Sequence, residues 1–428
     1  MTKKNKKLKI AIAGLGTVGK GVYDILQKDH KIIEKRTNVD IEIVAVGSRS
    51  KKDFVDKKIK YYDDVLKIAD DPEVDVVVEV MGGKTTAKEL IFKAIKNGKK
   101  VVSANKALIS EDGEEIANFI DKHQGFMLYE ASVAGANPII KAFREGFCAN
   151  EINEIYGILN GTCNFILTKM LNEEKGYSEA LQEAQELGYA EADPTFDVEG
   201  IDTAHKITIL GALANSSYPI FEPNKIIGIS KISGDDISFA DELGYKIKLL
   251  AIYKNIGNKV QQSVYPALIK KGEKLAQVDG SYNAILTLGS NFEWNMMIGR
   301  GAGGLTTGSA VVADIIDIAC QRFDKPIFNV ELNKLTHLKT IDLSERYGKY
   351  FVRFKISSDR SNHKNLIKEI FKDKIKVEQI IYKKINQDQV YVAFICEQIL
   401  EKEFCEILDN IDNTLTDISF IRVEETKF

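Results

Sequence analysis

The chain has 428 residues, enough for two or three domains, and its 44% hydrophobic and 28% charged residues are typical of a globular protein. The net charge of -3 argues against a strongly basic nucleic-acid surface, so we expect no nucleic-acid partner. The five cysteines are scattered without a CxxC pair, which argues against a disulfide framework or a zinc cluster.

The first residues are basic and then apolar, as in a signal peptide, but the apolar part breaks into glycines after about four residues. No run approaches the roughly 18 apolar residues that a membrane helix needs. The sequence therefore predicts a cytoplasmic protein with no membrane partner.

Strands alternate with helices over about residues 1–133. Strand patterns occupy Lys7 to Ala13 and the runs "IEIVAV", "VDVVVEV", "KKVVSA" and "FMLYEA". Helical patterns occupy Val18 to Leu26, Thr86–Lys96 and a segment near Glu111–Lys122. The run "VDVVVEV" is almost wholly apolar, as expected of a strand buried on both faces of a parallel sheet. The alternation predicts an α/β fold with a Rossmann-type doubly wound parallel sheet.

The pattern changes after Ala134. Helical segments dominate to about Asn215, and longer alternating runs from Lys246 indicate antiparallel strands, so we predict an α+β domain over residues 134–304. "GRGAGGLTTGSAVVADIIDIA" predicts a glycine turn and an apolar helix that returns to the first domain at about residues 305–325. Residues 349–428 have the order strand, helix, strand, strand, helix, strand, which predicts a separate small module.

A GxGxxG motif, "GLGTVG", follows the first predicted strand and opens the first helix, which is the context that indicates dinucleotide binding. Gly14 permits the tight turn, Gly16 lets the backbone approach a pyrophosphate, and Gly19 allows close helix–strand packing. The alternative is a glycine-rich turn without a ligand. The predicted cofactor-binding residues here are Gly14, Leu15, Gly16, Thr17, Val18 and Gly19.

The second strand is followed by cations. An NAD site usually has Asp or Glu there to hold the ribose hydroxyls, whereas this chain has "GSRSKK". Arg49, with Lys51 or Lys52, can meet a 2′-phosphate, so we expect NADPH to be preferred over NADH. The alternative is that these residues are solvated loop cations.

Two further strand ends carry candidate residues. Lys106 follows the strand "VVSA", and Gly82 and Gly83 follow "VVVEVM" one strand away. Because the carboxyl ends of strands in an open α/β sheet face the ligand crevice, we expect all three residues near the cofactor. A solvated lysine at a strand end is the alternative for Lys106.

The stretch "EADPTFDVEGIDTAHK" gathers five carboxylates and ends on a lysine. Asp202 and Lys206 are four residues apart and share a helix face, and the apolar "ITILGALA" that follows predicts a buried helix. A buried Asp–Lys pair costs desolvation and is better evidence for a site than for stability. From spacing alone, however, an ordinary ion pair is favoured. Asp193 before Pro194 and Glu199 are expected to shape the turn.

Six stretches, in order, resemble the homoserine dehydrogenase family: "GLGTVGKGV", "VVSANKALI", "EASVAGANPII", "GILNGTCNFILTKM", "EAQELGYAEADPTFDVEGIDTAHK" and "GRGAGG…SAVVAD". The resemblance implies a Rossmann domain, a domain for substrate binding and dimerisation, and a homodimer or homotetramer. It implies an enzyme that interconverts L-aspartate 4-semialdehyde and L-homoserine with a nicotinamide cofactor, on the route to threonine, methionine and isoleucine. The rival interpretations are a different oxidoreductase and a non-catalytic amino-acid sensor.

The resemblance also implies roles for particular residues. Lys206 is the proton donor, and Lys106 lies between nicotinamide and substrate. Cys163 is not expected to be a nucleophile, because the reaction needs no acyl or thiohemiacetal step; His205 is expected to pack. The implied substrate-binding residues are Glu191, Asp197, Asp202, Gly161 and Thr162, and the implied additional cofactor residues are Gly188 and Gly303.

Two further features follow from the resemblance. The "EASVAGANP" stretch is similar to a monovalent-cation loop, implying a sodium site at Glu130, Val133, Gly135 and Asn137; a structural loop between two domains is the alternative. Residues 349–428 resemble an ACT domain, a regulatory fold that binds amino acids. Because "SSDRSNHKN" replaces the Pro-Gly turn after its first strand, we expect threonine to inhibit weakly or not at all.

Overall fold

The computed structural model describes residues 6–322, 326–358, 367–368, 370–371, 374–411 and 415–426. Most of the "SSDRSNHKN" stretch therefore lies outside the described residues. The chain forms two compact units. The first comprises Met1–Asn153, His205–Phe221 and Leu288–Leu338, and the second comprises Glu154–Ala204, Glu222–Thr287 and Lys339–Phe428.

The described elements have the following bounds. The strands are β1 Lys6–Ala13, β2 Val39–Gly47, β3 Lys60–Tyr62, β4 Val76–Glu79, β5 Lys100–Ser103, β6 Met127–Leu128, β7 Ile152–Ile158, β8 Tyr245–Ile256, β9 Lys259–Lys270, β10 Tyr282–Gly289, β11 Glu293–Arg300, β12 Lys339–Thr340, β13 Tyr347–Ser357, β14 Val377–Lys384, β15 Gln389–Cys396, β16 Ile399–Leu400 and β17 Thr416–Val423. The α-helices are α1 Thr17–Lys28, α2 His30–Thr37, α3 Thr85–Lys96, α4 Lys106–Glu111, α5 Gly113–Lys122, α6 Ile139–Lys141, α7 Gly161–Asn172, α8 Tyr177–Glu186, α9 Thr195–Val198, α10 Ile201–Asn215, α11 Gly234–Glu242, α12 Gly304–Cys320 and α13 Glu401–Asp409.

The sheet of the first unit has the strand order β3-β2-β1-β4-β5-β6, with every neighbouring pair parallel. This is the order of a Rossmann-like dinucleotide-binding sheet, so the predicted fold of this region is confirmed. All four residues of β4 are buried, as its apolar run predicted. Helices α1 and α12 pack so closely that a Cβ on Gly21 would lie 2.0 Å from the carbonyl oxygen of Gly304.

The helix predicted near Glu111–Lys122 is confirmed as α5, which begins at Gly113, and a further short helix, α4, precedes it. Helix α4 begins at Lys106 and is capped by Asn105, whose Oδ1 accepts from the backbone N–H of Leu108 at 3.1 Å. Asp112 leaves the helical region of backbone space, with φ -112° and ψ 15°, and α5 begins after it. Lys106 is thus the first residue of a helix that begins shortly after β5.

The second unit contains a mixed sheet whose strands run β10-β7-β8-β9-β17-β13-β15-β14. Strands β7, β8 and β9 are antiparallel, and so are β17, β13, β15 and β14. Strand β17 pairs with β9 in parallel, with Arg422 opposite Ala267. The tail strands therefore extend the same sheet as β7–β9. No helix in the described parts of the chain has the length and apolar character to cross a bilayer.

Candidate functional site

The glycines of the "GLGTVG" turn meet three different constraints. Gly14 has φ +102°, and a Cβ there would lie 2.7 Å from the carbonyl oxygen of Val80. A Cβ on Gly19 would lie 1.9 Å from the carbonyl oxygen of Gly14, so α1 can approach the turn only with glycine. A Cβ on Gly16 would have no heavy atom within 4 Å, which leaves open space at the N-terminus of α1. An anionic group such as a pyrophosphate fits there.

A cavity of about 660 Å³ opens beside this turn. Gly14, Leu15 and Gly16 form one wall, while Gly82 and Gly83, both with positive φ, form another. Arg49 and Lys52 line the cavity after β2, together with Asp63 and Asp64 on the loop after β3. The carboxylate of Asp64 caps the following 3₁₀ turn by accepting from the N–H of Leu66 at 3.0 Å. The predicted cofactor residues of three separate strand ends therefore share one cavity.

The remaining predicted cofactor residues occupy different places. Thr17, Val18 and Gly19 belong to the first turn of α1. Gly303, with φ +123°, precedes α12, and a Cβ on its neighbour Gly304 would lie 2.8 Å from the carbonyl oxygen of Thr17. The chain thus returns to the glycine turn at Gly303. Gly188, with φ +74°, lies beyond α8 in the second unit.

A buried carboxyl that the sequence analysis missed lies at the end of β4. Glu79 is fully buried; its carboxylate accepts from the hydroxyl of Ser103 at 2.6 Å and from the N–H of Met81 at 2.9 Å. Burial raises the pKa of Glu79. These bonds hold the loop that carries Gly82 and Gly83 against the end of β5. The sequence signal that could have indicated this residue is the acid Glu79 near the end of the apolar run "VDVVVEV".

Lys106 is held at the same edge of the sheet. Its neighbour Asn105 donates from Nδ2 to the carbonyl oxygen of Gly83 at 2.6 Å while capping α4. Lys106 is half-buried at the first position of that helix. The two loops that end β4 and β5 are therefore bonded to each other, and they bring Lys106 beside the loop that lines the cavity.

Helix α10 carries Asp202 and Lys206, and it is buried as its apolar sequence predicted. Asp202 is 4% exposed and Lys206 is 8% exposed. Surface ion pairs are far more solvated than this, so the ordinary surface pair favoured by spacing alone does not describe these residues.

The acidic stretch and the start of α7 are joined by Asn160. Its Nδ2 donates to Oδ1 of Asp197 at 2.7 Å and to Oδ2 of Asp202 at 2.9 Å. Its Oδ1 accepts from the N–H of Cys163 at 2.8 Å, which caps α7 immediately before Gly161 and Thr162. Two of the predicted substrate acids are thereby held beside the start of α7, where the predicted substrate-binding residues Gly161 and Thr162 lie. The sequence analysis missed Asn160, although an Asn preceding an apolar run is a helix N-cap signal.

The other acids of the stretch differ in exposure and partners. Glu191 is exposed, and its carbonyl oxygen accepts from the side chain of Gln185 at 3.0 Å. Asp193 accepts from the N–H of Thr195 at 3.1 Å, so its predicted role in shaping the turn is confirmed. Cys163 is buried, and its Sγ contacts the carbonyl oxygen of Asp197 at 3.2 Å. This buried thiol of α7 packs against the acidic stretch.

The loop Glu130–Asn137 has an unusual backbone. Ala134 and Gly135 are consecutive residues with positive φ, at 55° and 47°. The N–H of Ala136 donates to the carbonyl oxygen of Arg300 at 3.0 Å, and Asn137 donates from Nδ2 to the carbonyl oxygen of Ala134 at 3.2 Å. Val133 is fully buried beside them. The backbone therefore departs from regular secondary structure at Ala134 and Gly135.

The carboxylate of Glu130 is engaged by backbone groups. It accepts from the N–H of Ile140 at 3.0 Å and of Lys141 at 2.8 Å. Burial and the nearby Asp314 raise the pKa of Glu130 to about 8. Among the described residues, no cluster of three or more His, Cys, Asp or Glu side chains is arranged to hold a metal ion. Carbonyl oxygens are therefore the main donors that this loop offers to a cation.

A parallel sheet with a glycine turn, open space at the N-terminus of α1 and a cavity at the ends of its strands defines a dinucleotide-binding protein of the Rossmann class. Family models agree. The model "Homoserine dehydrogenase, NAD binding domain" matches residues 14–130, and the model "Homoserine dehydrogenase" matches residues 138–316.

Relatives and solved structures give the same result. The homoserine dehydrogenase of Neisseria gonorrhoeae is 37% identical, over 98% of this chain and 99% of its own. The crystal structure of a homoserine dehydrogenase from Thiobacillus denitrificans superposes with a TM-score of 0.89 at 35% identity, covering 98% of this chain and 99% of the other. A hyperthermophilic archaeal homoserine dehydrogenase in complex with NADPH has a TM-score of 0.62 at 26% identity, over 75% and 99% of the chains.

The chain belongs to the homoserine dehydrogenase family. It is therefore an NAD(P)-dependent oxidoreductase that interconverts L-aspartate 4-semialdehyde and L-homoserine, a step of amino-acid biosynthesis.

Proposed function

We propose that the reaction uses NADPH as the preferred hydride donor and Lys206 as the proton donor to the substrate oxygen, with Lys106 near the reacting carbon. The observation that carries the proposal is the burial of Asp202 and Lys206, at 4% and 8% exposure, on one helix. Burying a lysine and an aspartate costs desolvation, and a role in the reaction accounts for that cost. NADPH supplies the hydride; the lysine supplies the proton.

The acids around Asn160 are proposed to bind the substrate. The ammonium group of the amino-acid substrate needs carboxylates, and Asn160 holds Asp197 and Asp202 together at 2.7 and 2.9 Å from its amide nitrogen. Glu191 supplies a further, exposed acid. The substrate carboxylate is bound by the N-terminus of α7 at Gly161 and Thr162, where unpaired N–H groups favour an anion.

Substitution of the proton donor tests this mechanism. Lys206→Ala is expected to lower kcat by roughly 10²–10⁴, because a positioned general acid contributes about that much. The control is Lys31→Ala, which removes an exposed lysine of α2 and is expected to leave kcat unchanged. The assay follows NADPH oxidation with aspartate semialdehyde. A Lys206→Ala variant with the kcat of the control would remove Lys206 from the mechanism.

The preference for NADPH is proposed from Arg49 and Lys52, which line the cavity after β2 where an NAD site has an acid. Arg49→Ala is expected to lower kcat/KM with NADPH at least tenfold and to leave kcat/KM with NADH within twofold. Lys28→Ala, at the other end of α1, serves as the charge-matched control. Equal kcat/KM values for the two cofactors in the unsubstituted enzyme would contradict the proposal.

A monovalent cation such as sodium is proposed to bind the loop of Glu130, Val133, Gly135 and Asn137. Hard cations prefer oxygen ligands, and the consecutive left-handed residues at positions 134 and 135 give this loop an irregular backbone whose carbonyl oxygens can serve as such ligands. Activity is expected to rise when sodium chloride replaces choline chloride at constant ionic strength. Identical activity in the two salts would contradict the site.

The tail is proposed to be an ACT-like regulatory module over residues 349–428. Its four longer strands lie in the order fourth, first, third, second (β17-β13-β15-β14), as in a βαββαβ module. Threonine is proposed to inhibit weakly or not at all, and strong inhibition below 1 mM would contradict this.

The assembly and the remaining boundaries are proposals as well. The other domains are residues 1–133 with about 305–325, and residues 134–304. The chain is proposed to form a homodimer or homotetramer through the second of these domains, which light scattering of the purified protein can test. A role for Gly188 and Gly303 at the cofactor and a cytoplasmic location stay predictions.

A further inference from the structure

We propose that Glu111 and His205 are positioning residues for the reaction: the hydrogen bond between them fixes the rotation of α10, which carries Lys206, against α4, which begins at Lys106. This inference rests on the proposed role of Lys206. Neither residue belongs to the proposed substrate or cofactor set. All of the residues involved lie in the first unit.

Glu111 uses its two carboxylate oxygens in two directions. Oε2 accepts from Nζ of Lys84 at 2.5 Å, and Lys84 follows Gly83 on the loop that lines the cofactor cavity. Oε1 lies 2.9 Å from Nε2 of His205 on α10. Burial acts to raise the pKa of Glu111, but the hydrogen bond and charge of Lys84, with His205, outweigh it and lower that pKa. One carboxylate therefore joins the cavity loop, α4 and α10.

His205 is held on two sides. Its side chain is 2% exposed, and its ring packs on Phe221 with centroids 4.6 Å apart. The sequence predicts packing for this residue, and the structure adds the bond to Glu111. A buried ring with an aromatic neighbour and a carboxylate partner has little freedom to rotate. Because Lys206 is the next residue of the same helix, the direction of its side chain follows that of the His205 ring.

The geometric requirement is strict. Side chains extend about 5–6 Å from a helix axis, so a rotation of about 10° moves their ends by about 1 Å. A misplacement of about 1 Å at a reacting centre can cost about 10²-fold in rate. Helix α4 has six residues, with Lys106 at one end and Glu111 at the other. The bond between Glu111 and His205 therefore also fixes the position of Lys106 relative to α10.

Glutamate-to-alanine substitutions provide a matched comparison. Glu111 pairs with Lys84 at 2.5 Å, and Glu115 on α5 pairs with Lys88 at 2.7 Å, but only Glu111 reaches α10. Glu111→Ala is expected to lower kcat at least tenfold, with the KM for aspartate semialdehyde within twofold and NADPH binding stoichiometry retained. Glu115→Ala is expected to keep both constants. His205→Ala is also expected to lower kcat at least tenfold, and the double variant to be no slower than Glu111→Ala, because both substitutions remove the bond between Glu111 and His205.

A conservative variant separates positioning from folding. His205→Gln keeps a donor that can reach Glu111 and is expected to recover most of the kcat that His205→Ala loses. Equal kcat in Glu111→Ala and Glu115→Ala, multiplicative losses in the double variant, or equal kcat in His205→Gln and His205→Ala would each overturn the inference. If Glu111→Ala does not fold, the two His205 variants decide. Failure of the proposed role of Lys206 is recognised separately, by an active Lys206→Ala variant.

Discussion

At the scale of single residues, two glycines of the cofactor turn are expected to differ: one is needed for stability and the other for cofactor binding. Gly19→Ala is expected to lower the thermal unfolding temperature by several degrees, because its Cβ would lie 1.9 Å from the carbonyl oxygen of Gly14. Gly16→Ala is expected to keep that temperature, since its φ of -76° suits alanine and its Cβ meets open space. The added methyl group then occupies the pyrophosphate cradle and raises the Kd for NADPH about tenfold or more.

Thermal unfolding and fluorescence titration with NADPH measure the two effects on the same samples. Gly98→Ala is a useful reference, because Gly98 also has open space but lies in the turn after α3 with φ +72°, so it reports backbone strain alone. Unfolding temperatures that fall equally in Gly16→Ala and Gly19→Ala would show that the turn is not constrained as described.

The residues predicted from sequence and those missed differ in how far their partners lie along the chain. The glycine roles follow from a motif of six neighbouring residues, and the structure agrees with the turn at Gly14 and the close packing at Gly19. Asn160 acts through Asp202, 42 positions away, and Glu111 through His205, 94 positions away. Nothing local to Asn160 or Glu111 specifies these partners. The family resemblance named the acids of the site but not the groups that hold them in place.

At the scale of elements, Lys248 of β8 binds the first turn of α7. Its side chain is 2% exposed, and Nζ donates to Oδ1 of Asn164 at 2.9 Å, the carbonyl oxygen of Val278 at 2.7 Å and Oδ1 of Asp279 at 2.9 Å. Burial lowers the pKa of Lys248 to about 8, and the carboxylate of Asp279 opposes that shift. Asn164 belongs to the first turn of α7, so Lys248 connects β8 to the start of that helix, where Gly161 and Thr162 are proposed to bind the substrate carboxylate.

Replacing this lysine is expected to be costly. Lys248→Met leaves buried acceptors without a donor and should reduce the free energy of unfolding by about 3 kcal/mol. Lys246→Met is the matched control on the same strand: Lys246 also pairs with Asp279, at 2.8 Å, but it is more exposed and makes one such bond, so its loss should cost less than about 1 kcal/mol. Urea unfolding at pH 7 measures both. Equal losses in the two variants would show that the pair with Asp279 alone matters.

Long, periodic elements were predictable, and short elements were not. The first strand, the helices around residues 18–26 and 86–96 and the long strands β8 and β9 agree with the sequence patterns. Strand β3, with three residues, has too few positions to show a period, and it was missed. Helix α4 was missed because six residues after a capping Asn show less than two turns of periodicity. That miss matters, because α4 carries both Lys106 and Glu111.

At the scale of the whole molecule, the tail strands do not stand apart from the second unit. Strand β17 pairs with β9, and Arg353 of β13 contacts Asp236 of α11 at 2.8 Å. Glu424, which follows β17, is the centre of a buried charged cluster. It accepts from Arg346 at 2.7 Å, Lys254 at 2.9 Å and the hydroxyl of Tyr265 at 2.9 Å. The tail therefore contributes to the stability of the unit that carries the substrate acids.

This cluster should make the unit sensitive to acid. Burial acts to raise the pKa of Glu424, but Lys254 and Arg346 outweigh it and lower the pKa to about 2. An unfolded glutamate titrates near about 4.3, and the difference of roughly two pKa units is worth about 3 kcal/mol. Because the folded pKa is the lower one, this stability is present above about pH 4.3 and is lost as the pH falls through about 2.

Glu424→Gln is therefore expected to be about 3 kcal/mol less stable than the unsubstituted protein at pH 7, with the gap closing steadily below about pH 4.3. Urea unfolding at pH 7, 4 and 3, followed by circular dichroism, gives the difference in stability at each pH. Glu403→Gln, on the exposed side of α13, is the control and should change stability by less than about 0.5 kcal/mol at pH 7. If the difference in free energy of unfolding between Glu424→Gln and the unsubstituted protein stays constant from pH 7 to pH 3, the charge of the carboxylate is not what stabilises the cluster.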